Sequence, residues 1–274
     1  MDLSLQNKWN CLEKWFSNQK GVLTAFSGGV DSALVTFLAR RFLGKEKAIA
    51  VISTSESLKI RDYETAVNFA KQHDIILKII KTPELYDSNY YLNSFNRCYF
   101  CKTYLYSEME IVGKQYMGYA LINGTNVDDY KDFRPGHAAA EDFRVLSPLA
   151  ECKLTKKDIR QMAKDLGLTV WNKPASPCLS SRIPYGEKIT RKKLIAIETA
   201  EEILFDNGFK EVRVRHYGDL CKIEVPVKEL KRLNNLFDKI NAMILKQTDF
   251  TQCVIDKEGF VSGKLNRLTV NSNE

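Results

Sequence analysis

The sequence lacks the features of membrane and exported proteins. Its 274 residues contain no run of about 18 apolar residues, the length needed to span a bilayer. The N-terminal stretch MDLSLQNKWN has neither a basic segment nor the apolar segment of a secretory signal. No internal repeat and no low-complexity segment is present. We therefore expect a cytoplasmic globular protein with no membrane partner.

The sequence also lacks a large excess of charge of either sign. Lys and Arg number 41 and Asp and Glu number 34, which gives a formal net charge of +7. This mild excess favours anionic ligands such as nucleotides and phosphates. It is too small and too dispersed to indicate a nucleic-acid partner, and no RNA-binding module or basic stripe interleaved with aromatic residues is visible.

Seven cysteines are present. In a reducing compartment they are not expected to form a disulfide framework. Metal binding or thiol chemistry is the better interpretation for those that cluster. The sequence directs attention to the pair in RCYFCK, Cys98 and Cys101, and to Cys178 in the loop PASPCLSSR.

Short apolar segments alternate with segments of helical periodicity in the first 170 residues. Strands are predicted at Val22–Phe26, Ala48–Ser53, Ile75–Ile80 and Tyr119–Gly124. Helices are predicted at 3–16, after the turn that follows the first strand, at 59–73, after Cys101, and from Thr155, where Asp158 completes a capping box. This alternation predicts an α/β fold with a doubly wound parallel sheet, whose ligands lie at the carboxyl ends of the strands.

The pattern changes in a segment with three prolines, Pro174, Pro177 and Pro184, which disfavour regular structure. We predict a domain boundary there, with a nucleotide-binding domain at 1–175 and a smaller α+β domain at 176–274. The second domain is expected to contain helices near 190–206 and 228–245. It is also expected to contain a strand pair in EVRVRHYGDLCKIEV, turning at 217–219, and a strand near CVIDKEGF.

The hexapeptide SGGVDS follows a predicted strand and opens a helix, which is the context of a phosphate-binding loop. Gly28 and Gly29 let the backbone approach an anion, and the helix directs free N–H groups at it. Ser27 and Ser32 add hydroxyl donors, and Asp31 suits a magnesium ion beside the phosphates. The loop has no lysine and is not a Walker loop. A plain Gly-Gly turn is the alternative.

This hexapeptide resembles the signature of the PP-loop ATP pyrophosphatases. The resemblance implies that ATP is cleaved to AMP and pyrophosphate while a substrate oxygen is adenylated. Ser53, in ISTSES, matches the adenine side of the family's site. In GTNVDDYKDFRPG, Asn126 and Arg134 would bind nucleotide, and Asp128 and Asp132 would hold Mg²⁺. A solvated polar loop is the alternative for these four residues.

Longer segments resemble LarE, the sulfur transferase family of nickel-pincer nucleotide synthesis. They are NGTNVDDYKDFRPG, SPLAECKLTKKDIR, KPASPCLSSRIPYGEKIT and EVRVRHYGD, and the resemblance extends to GFVSGKLNR. It implies a nicotinate-derived substrate, a pyridinium-3,5-dicarboxylate mononucleotide. Each carboxylate would be adenylated and converted to a thiocarboxylate. It also implies a homo-oligomer, a hexamer in homologues, and leaves the source of sulfide open.

Cys178 occupies this family's sulfur-donor position. In one branch that cysteine gives up its own sulfur and becomes dehydroalanine. In the other, three cysteines hold a 4Fe–4S cluster, and Cys98, Cys101 and Cys178 match that set. Zinc would need a fourth ligand, and a redox-active disulfide or buried inert thiols are further alternatives for the pair. Inert thiols are predicted for the remaining cysteines, Cys11, Cys152, Cys221 and Cys253.

Two arginines alternate on the predicted hairpin strand. Arg213 and Arg215 therefore project from the same face, where two guanidiniums could clamp a phosphate. Ser181 and Arg182, beside Cys178, would complete the clamp, as the LarE resemblance also implies. The alternative is a solvated basic strand face.

Two other functions fit parts of the sequence. Some PP-loop tRNA thiolases combine the same loop with a three-cysteine 4Fe–4S cluster. A nucleotide or iron–sulfur sensor without catalysis is the third interpretation. Release of pyrophosphate with the nicotinate-derived substrate would exclude the sensor, and thiolation of tRNA would favour the thiolase.

Overall fold

The computed structural model describes residues 2–131 and 135–261 and divides the chain into two units. The first unit comprises Met1–Glu84 and Asn96–Ser176, and the second comprises Leu85–Phe95 and Pro177–Glu274. Asp132 and Arg134, predicted to bind Mg²⁺ and nucleotide, lie outside the described residues. No helix among the described residues is long and apolar enough to cross a membrane.

The first unit alternates strands and helices. Its strands are β1 (Val22–Ala25), β2 (Ala48–Ser53), β3 (Ile76–Ile80) and β4 (Ala120–Ile122). Its helices are α1 (Leu3–Ser17), α2 (Val30–Leu43), α3 (Ile60–Gln72), α5 (Arg97–Gly113), α6 (Gly136–Asp142), α7 (Pro148–Glu151) and α8 (Lys156–Asp165). The short α4 (Ser88–Tyr91) belongs to the second unit.

The four strands form one parallel sheet in the order β3-β2-β1-β4. The central strands β1 and β2 are buried along their length except at Ser53. That burial explains why their sequences are continuous apolar runs rather than alternating ones. The predicted α/β fold with a parallel sheet is confirmed.

Helices cover both faces of this sheet. Alternate strand residues such as Val22 and Ala50 pack with α1, α2, α3 and α8. Their neighbours Leu23 and Val51 pack instead with α5 and α6. Because successive strand side chains point to opposite faces, the two helical layers bury both sides of the sheet.

The second unit contains a three-stranded sheet in the order β5-β6-β7. Its strands are β5 (Arg213–Tyr217), β6 (Leu220–Glu224) and β7 (Gln252–Ile255), and its long helices are α9 (Arg191–Asp206) and α10 (Leu230–Gln247). The antiparallel β5–β6 hairpin turns at Gly218 and Asp219, with Gly218 at φ 61°. A two-residue turn with a glycine at positive φ matches the twist of a hairpin.

Three predictions about local structure need correction. Cys11 and Cys152, predicted as inert thiols, form a disulfide with a Cα–Cα distance of 5.8 Å. Helix α5 begins at Arg97 and includes both cysteines of the RCYFCK pair rather than following them. The proline-rich segment contains one turn of 3-10 helix at Leu179–Arg182.

Candidate active site

The phosphate loop connects β1 to α2 as predicted. Gly29 is the N-cap of α2 and makes no side-chain cap hydrogen bond, so no side chain there occupies the helix N-terminus. The Ser27 and Ser32 hydroxyls lie 3.0 Å apart, and Ser32 Oγ donates to the Gly29 carbonyl at 3.1 Å. The loop therefore presents backbone N–H groups and the positive helix end to an anion.

Two glycines let this loop exist. Gly28 has φ 70°, and a Cβ there would lie 3.0 Å from Ala66 Cβ and 3.2 Å from the Asp62 carbonyl oxygen. A Cβ on Gly124, in the loop after β4, would lie 2.7 Å from the Ser32 nitrogen. Any larger residue at either position would push the backbone out of place.

Asp31 forms an ion pair with Lys156. Its other oxygen accepts a hydrogen bond from Asn126 Nδ2 at 3.4 Å. Lys156 is the first residue of α8, where Thr155 and Asp158 form the predicted capping box. The cap fixes the start of this helix, so the local sequence around Thr155 sets the position of the lysine that meets Asp31.

Asn126 and Asp128 organise the loop after β4. Asn126 is buried, donates to Asp129 Oδ2 at 2.8 Å and accepts from the Asp128 N–H at 2.9 Å. Asp128 Oδ2 accepts from the Lys156 N–H at 2.8 Å. Asn126 therefore braces this loop, and both residues lie within the network that also holds Asp31.

Lys173 is a second cation at the phosphate loop. Its ammonium donates to the Gly28 carbonyl at 3.1 Å and pairs with Asp62 at 2.9 Å. Only 19% of its side chain is exposed. Lys156 and Lys173 supply the positive charge that the loop sequence itself lacks.

Polar side chains also gather at the carboxyl ends of β2 and β3. Ser53 Oγ and Thr82 Oγ1 lie 2.6 Å apart. Glu84 is 1% exposed, and its Oε2 has no hydrogen-bond partner among the described residues. Burial raises the pKa of Glu84, an effect opposed by hydrogen bonds from Thr82 and Ser55.

Cys98 and Cys101 lie three residues apart at the start of α5. Neither cysteine is in a disulfide, Cys98 is exposed, and Cys101 is half-buried with its sulfur 4.0 Å from Glu84 Oε1. Residues three apart on a helix share a face, so both thiols could bind the same ligand. Within residues 2–131 and 135–261, no group of three or more His, Cys, Asp or Glu side chains is arranged to hold a metal ion.

Cys178 lies in the second unit, immediately before the 3-10 turn at Leu179–Arg182, and its thiol is free and exposed. Arg182, by contrast, is 1% exposed and pairs with Glu201 at 2.8 Å. The same guanidinium donates to the carbonyls of Pro177 and Cys178 at 2.9 and 3.3 Å and to Ser181 Oγ at 2.8 Å. Arg182 therefore fixes the backbone that presents Cys178.

Arg213 and Arg215 lie on one strand but differ in their partners. Arg215 makes two 3.0 Å hydrogen bonds to Glu224 and donates to the Ser181 carbonyl at 2.7 Å. Arg213 is 7% exposed, stacks on Phe260 at 4.0 Å and has no carboxylate partner within the described part of the chain. Burial, with the charges of Arg182 and Arg215, lowers the pKa of Arg213 to about 10.

These contacts create an excess of buried positive charge in the second unit. Arg182, Arg213 and Arg215 bring three guanidiniums, whereas Glu201 and Glu224 bring two carboxylates. Buried charges ordinarily occur in pairs. Arg213, which has no carboxylate partner among the described residues, is therefore the side chain of this cluster best suited to an anionic ligand.

Sequence reasoning did not identify Lys156, Lys173, Glu201, Glu224 or Gly124. The lysine contacts bridge 125 and 145 residues of sequence, so no local pattern announces them. Gly124 is the first residue of GTNVDDYKDFRPG, and its position directly after a strand is a sequence signal for a close approach of two backbone segments.

Three comparisons place this chain among known proteins. The family model described as NAD synthase matches residues 10–96. The chain is 33% identical over 245 residues to the pyridinium-3,5-bisthiocarboxylic acid mononucleotide synthase of Lactiplantibacillus plantarum, covering 89% of this chain and 88% of that protein. It is 39% identical over 269 residues to an uncharacterized protein of Synechocystis, covering 96% and 98%.

A more distant similarity also extends over most of the chain. The NH(3)-dependent NAD(+) synthetase of Staphylothermus marinus is 26% identical over 235 residues, which covers 79% of this chain and 80% of that protein.

Proposed function

This chain belongs to the LarE-type family of PP-loop proteins, and on that premise we propose that it is an ATP-dependent sulfur transferase. Its substrate is pyridinium-3,5-biscarboxylic acid mononucleotide, and its product is the bisthiocarboxylic acid. A carboxylate is a poor electrophile, so ATP first converts it to an acyl-adenylate with release of pyrophosphate. A sulfur nucleophile then attacks the activated carbon, and AMP leaves.

ATP is assigned to the phosphate loop of the first unit. Gly28 and Gly29 allow the close approach, and the N–H groups at the start of α2 and the hydroxyls of Ser27 and Ser32 receive the phosphates. Lys156 and Lys173 add two ammonium groups. Ser53 lies at the end of β2, where the adenine side of the family's site is expected.

Mg²⁺ is assigned to Asp31, with Asp128 beside it. Carboxylate oxygens are ligands that magnesium prefers, usually together with substrate phosphates and water. Asp31 pairs with Lys156, so in this assignment the lysine turns to the phosphates when the metal binds. Asp132 and Arg134 remain proposals for metal and nucleotide.

The phosphate of the substrate is assigned to the second unit, and Arg213 is the observation that carries this assignment. A guanidinium 7% exposed with no carboxylate partner within the described residues is costly unless an anion completes it. Arg215 and Arg182 hold the surrounding backbone through Glu224 and Glu201, and Ser181 offers its hydroxyl.

Sulfur delivery is assigned to Cys178. The thiol is exposed and free, and Arg182 fixes the backbone on which it sits. Cys98, Cys101 and Cys178 are three cysteines outside any disulfide, and three cysteine thiolates would suit a 4Fe–4S cluster. When bound there, such a cluster would supply the sulfide sulfur for transfer. Cys178 alone is the sacrificial alternative.

Anaerobic purification followed by visible absorption and iron analysis tests the cluster. Cys98→Ala, Cys101→Ala and Cys178→Ala should each lose the iron and the brown colour. Cys253→Ala, a half-buried free cysteine outside the proposed site, is the matched control and should keep both. Iron-free protein whose Cys178 becomes lighter by one H₂S after turnover would establish the sacrificial route instead.

Incubation with ATP, Mg²⁺, sulfide and the candidate substrate tests the function itself. Pyrophosphate and the thiocarboxylate product should appear together. Pyrophosphate release that requires tRNA, with thiolated tRNA as the product, would replace the proposal with a tRNA thiolase. Absence of pyrophosphate with either substrate would reject both.

A further inference from the structure

A row of sulfur and nitrogen side chains crosses the sheet of the second unit. The β5–β6 register pairs His216 with Cys221, and the β6–β7 register pairs Cys221 with Cys253. Side chains at directly paired positions lie on the same face of a sheet. The imidazole and the two thiols are therefore neighbours on three successive strands.

The two thiols differ in access and in proton affinity. Cys221 is fully buried, whereas Cys253 is half-buried. Neither cysteine is in a disulfide. The hydrogen bond from the Cys221 thiol lowers the pKa of Cys253. The same bond, with burial, raises the pKa of Cys221. Cys253 therefore ionises more readily than Cys221 and is the more exposed of the two, and both properties make a cysteine more reactive.

The spacing of the pair permits a disulfide. Paired strands lie about 4.8 Å apart, and disulfides join Cα atoms about 4.4–6.8 Å apart. Cys221 and Cys253 occupy directly paired positions on β6 and β7. A bond between them therefore needs no change of strand register.

His216 is the third side chain of this row. It is 5% exposed, and its Nδ1 has no hydrogen-bond partner among the residues that the structure describes. Burial and then the charge of Lys193 lower the pKa of His216, while the carboxylates of Glu187, Asp249 and Asp219 oppose that change. The ring stacks on Phe250 with centroids 5.0 Å apart.

We propose that Cys253 and Cys221 form an oxidisable dithiol whose oxidant is a peroxide, a modification site independent of the proposed sulfur transfer. The Cys253 thiolate attacks one peroxide oxygen, the O–O bond breaks, and sulfenic acid and hydroxide form. The Cys221 sulfur then attacks the sulfenic sulfur, and its proton leaves with the hydroxyl as water. The two thiols lose two electrons, and the peroxide gains them.

Peptide mapping of the full chain tests the pair. The protein is treated with one equivalent of hydrogen peroxide, its remaining thiols are alkylated, and peptides are mapped without reduction. A peptide linking Cys221 to Cys253 is expected, lighter by two hydrogen atoms than the separate peptides. Cys178→Ser is the matched control and should form the same link, because the pair does not require that exposed thiol.

Trapping the intermediate tests the order of attack. In Cys221→Ser, dimedone should label Cys253 about tenfold more than in the wild type, since the sulfenic acid no longer has a resolving thiol. In Cys253→Ser, Cys221 should stay unlabelled. The wild-type map uses no substitution, so it decides the proposal even if Cys221→Ser fails to fold.

Two outcomes would overturn the proposal. One is oxidation of other cysteines while Cys221 and Cys253 are recovered as two alkylated thiols. The other is equal dimedone labelling of Cys221 in Cys253→Ser and of Cys253 in Cys221→Ser, which would remove the distinction between an attacking and a resolving thiol.

Discussion

Arg213 and Arg215 lie two residues apart on β5, yet their surroundings predict opposite effects of substitution. Arg215→Met removes a buried ion pair and two hydrogen bonds from Glu224 and should cost about 3–5 kcal/mol of folding stability. Arg213→Met removes a buried charge that has no carboxylate partner in the described chain and keeps an apolar contact with Phe260. Its stability should be unchanged or higher.

The same pair separates stability from substrate binding. Arg213→Met should weaken binding of the mononucleotide by about 1.5–3 kcal/mol, the range for hydrogen bonds to charged groups. Urea denaturation gives the first quantity, and the substrate dependence of pyrophosphate release gives the second. Equal losses of stability in both variants, or full substrate affinity in Arg213→Met, would place the phosphate elsewhere.

Asp31 is the residue whose charge the proposed magnesium site requires. Asp31→Asn should reduce ATP-dependent pyrophosphate release about 10²-fold or more, because the metal's charge stabilisation is worth several kcal/mol. Asp165→Asn, an exposed carboxylate in the same unit, is the matched control and should keep the wild-type rate. A wild-type rate in Asp31→Asn would exclude Asp31 from the mechanism.

The sequence predicted the phosphate loop because all of its members are contiguous. Glycines, hydroxyls and the helix start lie within Ser27–Ser32, and local chemistry is sufficient to connect them. The lysines could not be predicted in the same way. Lys156 and Lys173 meet the loop only through the fold, across 125 and 145 residues.

At the scale of elements, the start of α8 links a local motif to the site. Asp158 caps the helix with Thr155 and pairs with Lys8 at 2.6 Å. Burial alone would raise the pKa of Asp158, but hydrogen bonds from Lys8 and Thr155 lower it overall. A lowered folded-state pKa means that the carboxylate stabilises the fold above its ordinary pKa near 3.8 and loses that contribution as the pH falls.

Asp158→Asn should therefore be less stable than the wild type at pH 7, by about 1 kcal/mol for a lost cap. The difference should shrink as the pH falls below 4, because the wild-type carboxylate is then protonated as well. Thermal unfolding of both proteins, repeated at pH values between 3 and 7 in steps of about half a unit, measures this difference in stability. A constant difference across the whole range would show that the charge of Asp158 does not matter.

Helix α1 is attached to the rest of the first unit by covalent and polar contacts. Cys11 is bonded to Cys152, and Trp15 Nε1 donates to Glu151 Oε2 at 2.7 Å. Because the disulfide spans 141 residues, it restricts a long loop of the unfolded chain.

Cys11→Ala should lower the free energy of unfolding by about 2–5 kcal/mol in non-reducing buffer. Addition of reductant should lower the thermal midpoint of the wild type and leave that of Cys11→Ala unchanged. Trp15→Phe, which loses the hydrogen bond to Glu151 and part of the ring that packs on the core but keeps the disulfide, is the matched control and should still respond to reductant. A wild-type midpoint that does not respond to reductant would contradict a stabilising role for this disulfide.

Periodicity predicted most elements because each buries one side or one face in the core. The start of α5 was missed for a physical reason. Its N-cap, Asn96, is a residue type that favours a helix start, but Asn96 makes no side-chain cap hydrogen bond and no capping box accompanies it. The disulfide was missed because reasoning from compartment weighs against disulfides, whereas the pairing itself depends on α1 lying beside α7.

At the scale of the whole molecule, the second unit takes in a segment that the sequence places inside the first. Leu85–Phe95 belongs to it through contacts such as Tyr90 to Ser180 at 2.7 Å and Asn93 to the Pro184 carbonyl at 2.6 Å. These contacts join residues about 90 positions apart. The change of composition near the prolines is visible in the sequence. The assignment of Leu85–Phe95 to the second unit is not, because it depends on contacts between distant residues.

The residues proposed for adenylation and for sulfur transfer belong to different units. The phosphate loop and its lysines belong to the first unit, and Cys178 belongs to the second. In the proposed mechanism the thiol acts only after the acyl-adenylate has formed, so Cys178→Ala should keep substrate-dependent pyrophosphate release near the wild-type rate and lose formation of the thiocarboxylate. Without sulfur, water should hydrolyse the adenylate and regenerate the substrate. Pyrophosphate and product are measured in the same reaction, and parallel loss of both would show that Cys178 is needed before adenylation.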